Sequence, residues 1–438
     1  MTPSVHSPVL AIHDQVLNDA CMRAKISVPT LMTAVGAAGL VGSALWMTTP
    51  PAAAAFPGNN GDIAFVSTRN NNVAIYQVNP QGSGLGTTTG DEANTTPLTG
   101  GAVDAEPFYS PDGATVYFSS NRSGFWTIYS IAQSAEEPPT TPTELSQVSG
   151  SESHDDYSPS VAPNGETVVF NRDNAALYTL YASAGASSVC LLYTPPEGLA
   201  PASSDNGSGS RAVFDPDDPT KLIYVGGDNH LHLLSGIPNP TGTNPCSVSP
   251  SSLTDTDLSA EATAPAGESI TGAADANPDW NPAGLGATSV KIGGHSTNVI
   301  FDSTRGGGHT LWTMDLTTAT PTVTPIWSGL VGAGNKSDTQ PVFSPDGNYI
   351  TYTEPVVQDG TQVMDYELDK LGQMNNLETD LTQATGTPAN SQPDWQPTTV
   401  AAETPEAPMA VLLPASGLVI LGGALGFRRR RGRRLTSA

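Results

Sequence analysis

Positive charge is the scarcest property of this 438-residue sequence, with 17 Lys and Arg against 42 Asp and Glu. Eight of those cations crowd the ends: Arg23 and Lys25 at the front, and Arg428, Arg429, Arg430, Arg431, Arg433 and Arg434 at the back. Residues 56–413 are left with nine cations and 40 acids. Such a body repels phosphate backbones and anionic lipid, which excludes nucleic acid as a partner. Cysteine is nearly absent as well. Cys21 falls in the leader, and Cys190 and Cys246 remain, an even pair that either forms a disulfide in an oxidising compartment or stays as two buried thiols. No G-x-S-x-G nucleophile elbow and no G-x-x-x-x-G-K phosphate loop occurs, so no catalytic residue is assigned. Long helical patterns are missing too. Gly (44) and Pro (38) make up nearly a fifth of the chain, which favours many turns over a helix-rich enzyme or a coiled coil.

The two ends read as addresses. Residues 1–55 form a leader, with Met22 an alternative start. Arg23 and Lys25 precede an apolar stretch from Ser27 to Met47, and Ala53-Ala54-Ala55 supplies small residues before Phe56. A retained membrane helix is the competing reading of this stretch. After a Pro/Thr/Ala linker (398–408), Met409 to Phe427 is apolar except for Ser416, and the Arg cluster follows. Nineteen residues at ~1.5 Å each just cross a bilayer core. Basic residues stay on the cytoplasmic side, so the body is expected outside, held at the membrane or cell wall.

What the middle does contain is a repeat. Six segments share a Pro-aromatic-Pro core: PFYSPDG (107–113), PSVAPNG (159–165), AVFDPDD (212–218), PDWNPAG (278–284), PVFSPDG (341–347) and PDWQP (393–397). Their second prolines are spaced by 52, 53, 66, 63 and 52 residues. Pro-Asp-Gly is a turn: Pro presets φ, Asp bonds back to the chain, and Gly accepts positive φ. Short alternating runs follow the first five motifs, such as ATVYFSS (114–120) then FWTIYSI (125–131), as antiparallel strands do. The first unit, GDIAFVST (61–68), lacks its own motif, while PDWQP has nothing after it. The orphan strand can complete the headless unit and remove two sheet edges. The expectation is an all-β, six-bladed propeller of four-stranded antiparallel blades over residues 56–397, closed by its C-terminal strand.

The FSPDG turn, the Thr68-Arg69, Asn121-Arg122 and Thr304-Arg305 endings of the second strands, and the following IY or LW pairs resemble the TolB-like, WD40-like (PD40) β-propeller repeats. The resemblance covers residues 57–397 and implies a fold far more than an activity. The unit around DPDDP departs from it, with Gly226-Gly227 where the arginine recurs elsewhere. Leu413-Pro414-Ala415-Ser416-Gly417 resembles a sortase recognition pentapeptide with Ser in place of Thr, and the whole tail resembles PEP-CTERM-type sorting signals. A cleaved sorting tail and an uncleaved anchor both fit.

An acid recurs three residues before the first Pro of the motif: Asp104, Asp156, Asp275 and Asp338, with Asn390 holding the last place. If first strands line the channel, these residues ring one mouth, where they can hold a hard cation or a basic peptide. The competing reading is that they cap turns and bond backbone N–H groups. Arg69, Arg122, Arg172 and Arg305 also recur, as partners for carboxylates of their own or the next blade, Asp112 and Asp346 among them. His230 and His232 fall on one side of a strand and are the candidate metal pair, set against a reading as surface or packed histidines. Propeller lyases of uronates use His-rich channel sites, so this pair is the only foothold for an enzyme. No cofactor is expected beyond a candidate divalent cation. The expected role is a monomeric, non-catalytic binding module for an envelope protein or glycan, with the C-terminal segment as its membrane contact. A metal-assisted glycan lyase or hydrolase and a structural envelope scaffold are the alternatives.

Overall fold

The structure is a computed structural model. It describes residues 56–69, 73–80 and most of 97–398, apart from connecting segments such as 134–140, 202–210, 239–251, 327–336 and 368–378. The leader, Cys246, the apolar segment and the 413–417 pentapeptide lie outside the described residues. Among the described residues, no helix is long and apolar enough to cross a membrane.

Five four-stranded antiparallel sheets follow one another as blades. Blade I holds Asp104–Tyr109, Thr115–Ser120, Thr127–Ala132 and Thr143–Glu144. Blade II holds Asp156–Val161, Thr167–Arg172, Ala176–Tyr181 and Cys190–Tyr193. Blade III holds Val213–Phe214, Lys221–Val225, Leu231–Ser235 and Thr254–Asp257. Blade IV holds Asp275–Trp280, Val299–Ser303, Thr310–Asp315 and Thr322–Pro325, and blade V holds Thr339–Phe343, Tyr349–Val356, Gly360–Glu367 and Thr379–Asp380. Lys291–Ile292 and His295–Ser296 form a small extra hairpin inside the insertion of blade IV.

The remaining sheet joins the two ends of the body. Asn390–Thr398 pairs with Asn59–Ser67, which pairs with Ala74–Val78. It has three strands among the described residues, where four were expected. Its outer edge nonetheless repeats that of the other blades. Leu98 N–H donates to the Ile75 carbonyl and Ile75 N–H to Thr99 Oγ1, as Leu145 N–H and Ser146 Oγ do with Ile128 in blade I. The first strands touch in cyclic order: 104–109, 156–161, 213–214, 275–280, 339–343, 390–398 and back to 104–109.

Apolar packing follows the same circle. One continuous core runs through blades I to IV. Ile300 and Leu311 of blade IV pack on Phe343 and Tyr352 of blade V. Leu381 after blade V packs on Phe65 and Trp395 of the closing sheet, and Val66 and Ile75 of that sheet on Tyr109 and Phe118 of blade I. Second strands are therefore covered on both faces. That is why Thr115–Ser120 and Val299–Ser303 are buried almost throughout, serines included.

The Pro-Asp-Gly turns form as their residues dictate. Asp112 accepts from Ser110 Oγ (2.6 Å) and Ala114 N–H (3.0 Å), and Gly113 takes φ +66°. A Cβ on Gly113 would lie 2.1 Å from the Pro397 carbonyl oxygen, so the turn of blade I also seats the closing strand.

Candidate functional site

The recurring acids do not ring an open mouth. Asp104, Asp156, Asp275, Asp338 and Asn390 are buried, each at most 2% exposed. Arg122 Nη2 donates to Asp104 Oδ1 (2.7 Å). Arg172 grips Asp156 with two bonds (2.6 and 2.8 Å), Arg305 does the same with Asp275, and Arg69 reaches Asn390 Oδ1 (3.2 Å). Asp338 holds the same place in blade V, where no arginine follows the second strand. The partners are thus these acids and not Asp112 or Asp346, which belong to turns. Each guanidinium also lies over two aromatic rings of its own blade, as Arg122 does over Phe118 (5.4 Å) and Tyr129 (4.9 Å). These are internal clamps, charge-assisted and covered by π faces. Burial pushes the Asp156 carboxyl above its usual range, against the pull of Arg172.

The channel is lined instead by the residue just before the first proline. Glu106, Ser158, Asn277, Gln340 and Gln392 all take φ between +48° and +56°. In each of these strands the pairing register slips there, a bulge. In four of the six steps round the ring, a side chain of one blade accepts the next bulge's N–H. Gln340 Oε1 accepts from Gln392 N–H (2.8 Å), Gln392 Oε1 from Glu106 N–H (2.7 Å), and Glu106 Oε2 from Ser158 N–H (2.6 Å). In the fourth, Asp302 Oδ2 accepts from Gln340 N–H (3.0 Å) and from the Asn277 amide (2.7 Å).

In blade III the corresponding residue is Arg211. It reaches across the channel to Asp394 Oδ1 of the closing strand (2.7 Å) and covers the Phe108 ring (4.7 Å). Asp394 also accepts the Tyr109 N–H (2.6 Å), and Asp279 accepts the Phe343 N–H (2.9 Å). Burial raises Asp394 and Glu106, with Arg211 opposing. Burial pushes Asp279 up to about 7, again against Arg211. Three buried carboxylates thus share one guanidinium.

A cavity of about 30 Å³ remains between Arg211 and the bulge residues, room for a water or two. Above it opens a funnel of about 660 Å³. Val66, Val73, Val103 and Ala105 line its wall; Asn277, Gln340 and Gln392 form its floor. His309 stands on its rim, 3.6 Å from Asp302, and that nearby carboxylate raises the imidazole's pKa.

The sequence reading missed this ring. Its signal is a polar residue before the first proline of five repeats, but the identities differ, and a residue preceding proline is normally extended. His230 and His232 line neither the funnel nor the cavity beneath it. They lie at the hairpin of blade III among Asp228, Asp255 and Asp257. Cys190 is disulfide-bonded; Cys246 lies outside the described residues.

No family model matches the chain. Among solved structures it is similar to TolB from Acinetobacter baumannii, 14% identical over 78% of this chain and 68% of that one, with a TM-score of 0.47. It is also similar to a putative TolB from Agrobacterium tumefaciens (15% identical, 77% and 99% covered, TM-score 0.40). A third is an oligogalacturonate lyase in complex with manganese (11% identical, 76% and 75% covered, TM-score 0.39). Identities this low concern the course of the chain and not its chemistry.

Proposed function

We propose that the chain is an exported, envelope-tethered binding propeller that takes a protein or glycan partner in the funnel, with the closing sheet as its sixth blade. The observation that carries this reading is the funnel itself. Its volume falls within the ~300–1,000 Å³ of ligand sites, and its lining mixes valines and alanines with hydroxyls, Asp302, His309 and three fixed amides. Asn277, Gln340 and Gln392 offer donors and acceptors without net charge, which suits peptide groups or sugar hydroxyls. The leader-like front and the apolar, Arg-capped tail support export and tethering. The lyase alternative draws on His230 and His232, and neither faces the funnel.

The test is co-sedimentation of the full chain with isolated cell envelopes and with purified envelope glycans. Val103→Arg places a long cation on the wall of the funnel. It is expected to weaken binding at least tenfold without changing the melting temperature. Leu191→Arg, at an exposed site on blade II, is expected to bind as wild type. Equal binding by both variants would move the partner elsewhere on the surface. Release of unsaturated uronate from the glycans would favour the lyase.

A further inference from the structure

Besides Arg211 in the channel, blade III departs from the repeat after its second strand, and the strand registers show what changed there. Val213 opposes Ile223 as Phe108 opposes Tyr117, so Val225 takes the position of Ser119. Arg122 stands three residues after Ser119. Asp228 stands three after Val225, at the arginine's place; Gly226 and Gly227 precede it. The aromatic beneath the guanidinium changes with it. Phe118 opposes Tyr129 in blade I, and Tyr224 opposes His232 in blade III. Where Arg122 lies over Tyr129, a carboxylate meets the Nε2 edge of an imidazole. Asp257, opposite His232, adds a second carboxylate.

We propose that Asp228, His232 and Asp257 bind one zinc-class divalent cation, which takes the place that a guanidinium fills in the other blades. One ligand atom from each of the three lies within 4.8 Å of the other two. His232 Nε2 is 3.3 Å from both oxygens of Asp228. Metal–ligand bonds of about 2.0–2.1 Å set tetrahedral donor atoms roughly 3.3 Å apart. The other face of the imidazole is held as a metal-bound histidine usually is. His232 Nδ1 is 3.1 Å from Asp255 Oδ1, and the second Asp255 oxygen accepts from the Tyr224 (2.7 Å) and Tyr193 (3.0 Å) hydroxyls. With a cation on Nε2, that carboxylate accepts the Nδ1–H, and it turns Nε2 toward Asp228.

Gly226 leaves the room: a Cβ there would lie 2.5 Å from Asp228 Oδ1 and 2.9 Å from His232 Nε2. His230 Nδ1, 2.9 Å from Asp257 Oδ2 and 3.6 Å from Asp228 Oδ2, is placed to become a fourth ligand. One or two imidazoles with two carboxylates suit zinc over magnesium or calcium, which prefer all-oxygen sites. The site lies on an outer hairpin, outside the funnel, and does not depend on the binding reading above.

The experiment is calorimetric titration of the untagged full chain with Zn²⁺ after dialysis against a chelator. Co²⁺ substitution then reports geometry by its visible spectrum. Wild type is expected to bind one equivalent and to give the intense bands of tetrahedral cobalt. Asp228→Asn and His232→Gln are expected to lose at least tenfold in affinity while melting within a few degrees of metal-free wild type. His309→Ala is expected to bind as wild type. Stoichiometry far below one, an octahedral cobalt spectrum, or unchanged affinity in both folded variants would overturn the site. If His232→Gln fails to fold, Asp228→Asn on the exposed hairpin carries the test alone.

Discussion

Blades I and III share a four-strand plan but spend their arginines at different ends of it. In blade I, Arg122 follows the second strand and holds Asp104, which starts the first. In blade III, Asp228 follows the second strand, and the arginine has moved to Arg211, inside the channel. The first arrangement closes a blade on itself. The second ties blade III to Asp394 on the far side of the ring and leaves its own hairpin anionic. Repetition in this chain marks what holds a blade together, and departure from repetition is where the proposed metal site falls.

The sharpest break of that comparison is to remove a clamp. Arg305 and Asp275 are both within the interior, with side chains 1% and 0% exposed. Asp275→Ala strands a buried guanidinium and is expected to cost about 3–5 kcal/mol, measured by denaturant unfolding. A loss under about 1 kcal/mol would mean that the clamps are decoration.

The channel predicts a pH effect of middle size. Asp279 has a folded pKa of about 7, well above the ~3.9 of an unfolded aspartate. Between those values the folded chain binds more protons than the unfolded one. Stability from this group is therefore complete below about pH 4 and lost as pH rises toward 7, with a slope of up to about 1.4 kcal/mol per pH unit. Asp279→Asn keeps an acceptor for the Phe343 N–H and is expected to flatten that part of the unfolding profile. An unchanged slope would place the proton on another group.

The smallest effect belongs to the turns. Asp112→Ala removes the acceptor for Ser110 Oγ and Ala114 N–H at an exposed site. About 0.5–1.5 kcal/mol is expected, read as a small shift in the urea midpoint.

The turns and the strand closure were legible because each depends on residue types that do one thing. Pro-Asp-Gly makes a turn, and PDWQP with no successor needs a sheet to join. The repeated acids were legible in position but not in role. A bulge before each first proline breaks the alternation on which inward and outward faces are counted. Asp104 turns into its blade, and Glu106 turns into the channel. Blade III was harder still. Gly226-Gly227 looked like a lost arginine, and only the strand register shows that Asp228 holds its place.

Arg211 crossing to Asp394 has a plain mechanical result. The disc is a cup and not a pipe. Among the described residues, the bond and the cavity of about 30 Å³ beneath the funnel leave no bore for a polymer to thread. Under the proposed binding role, the partner best matched to such a vessel offers a tip, a terminus or a tight bend, and not the middle of a long strand.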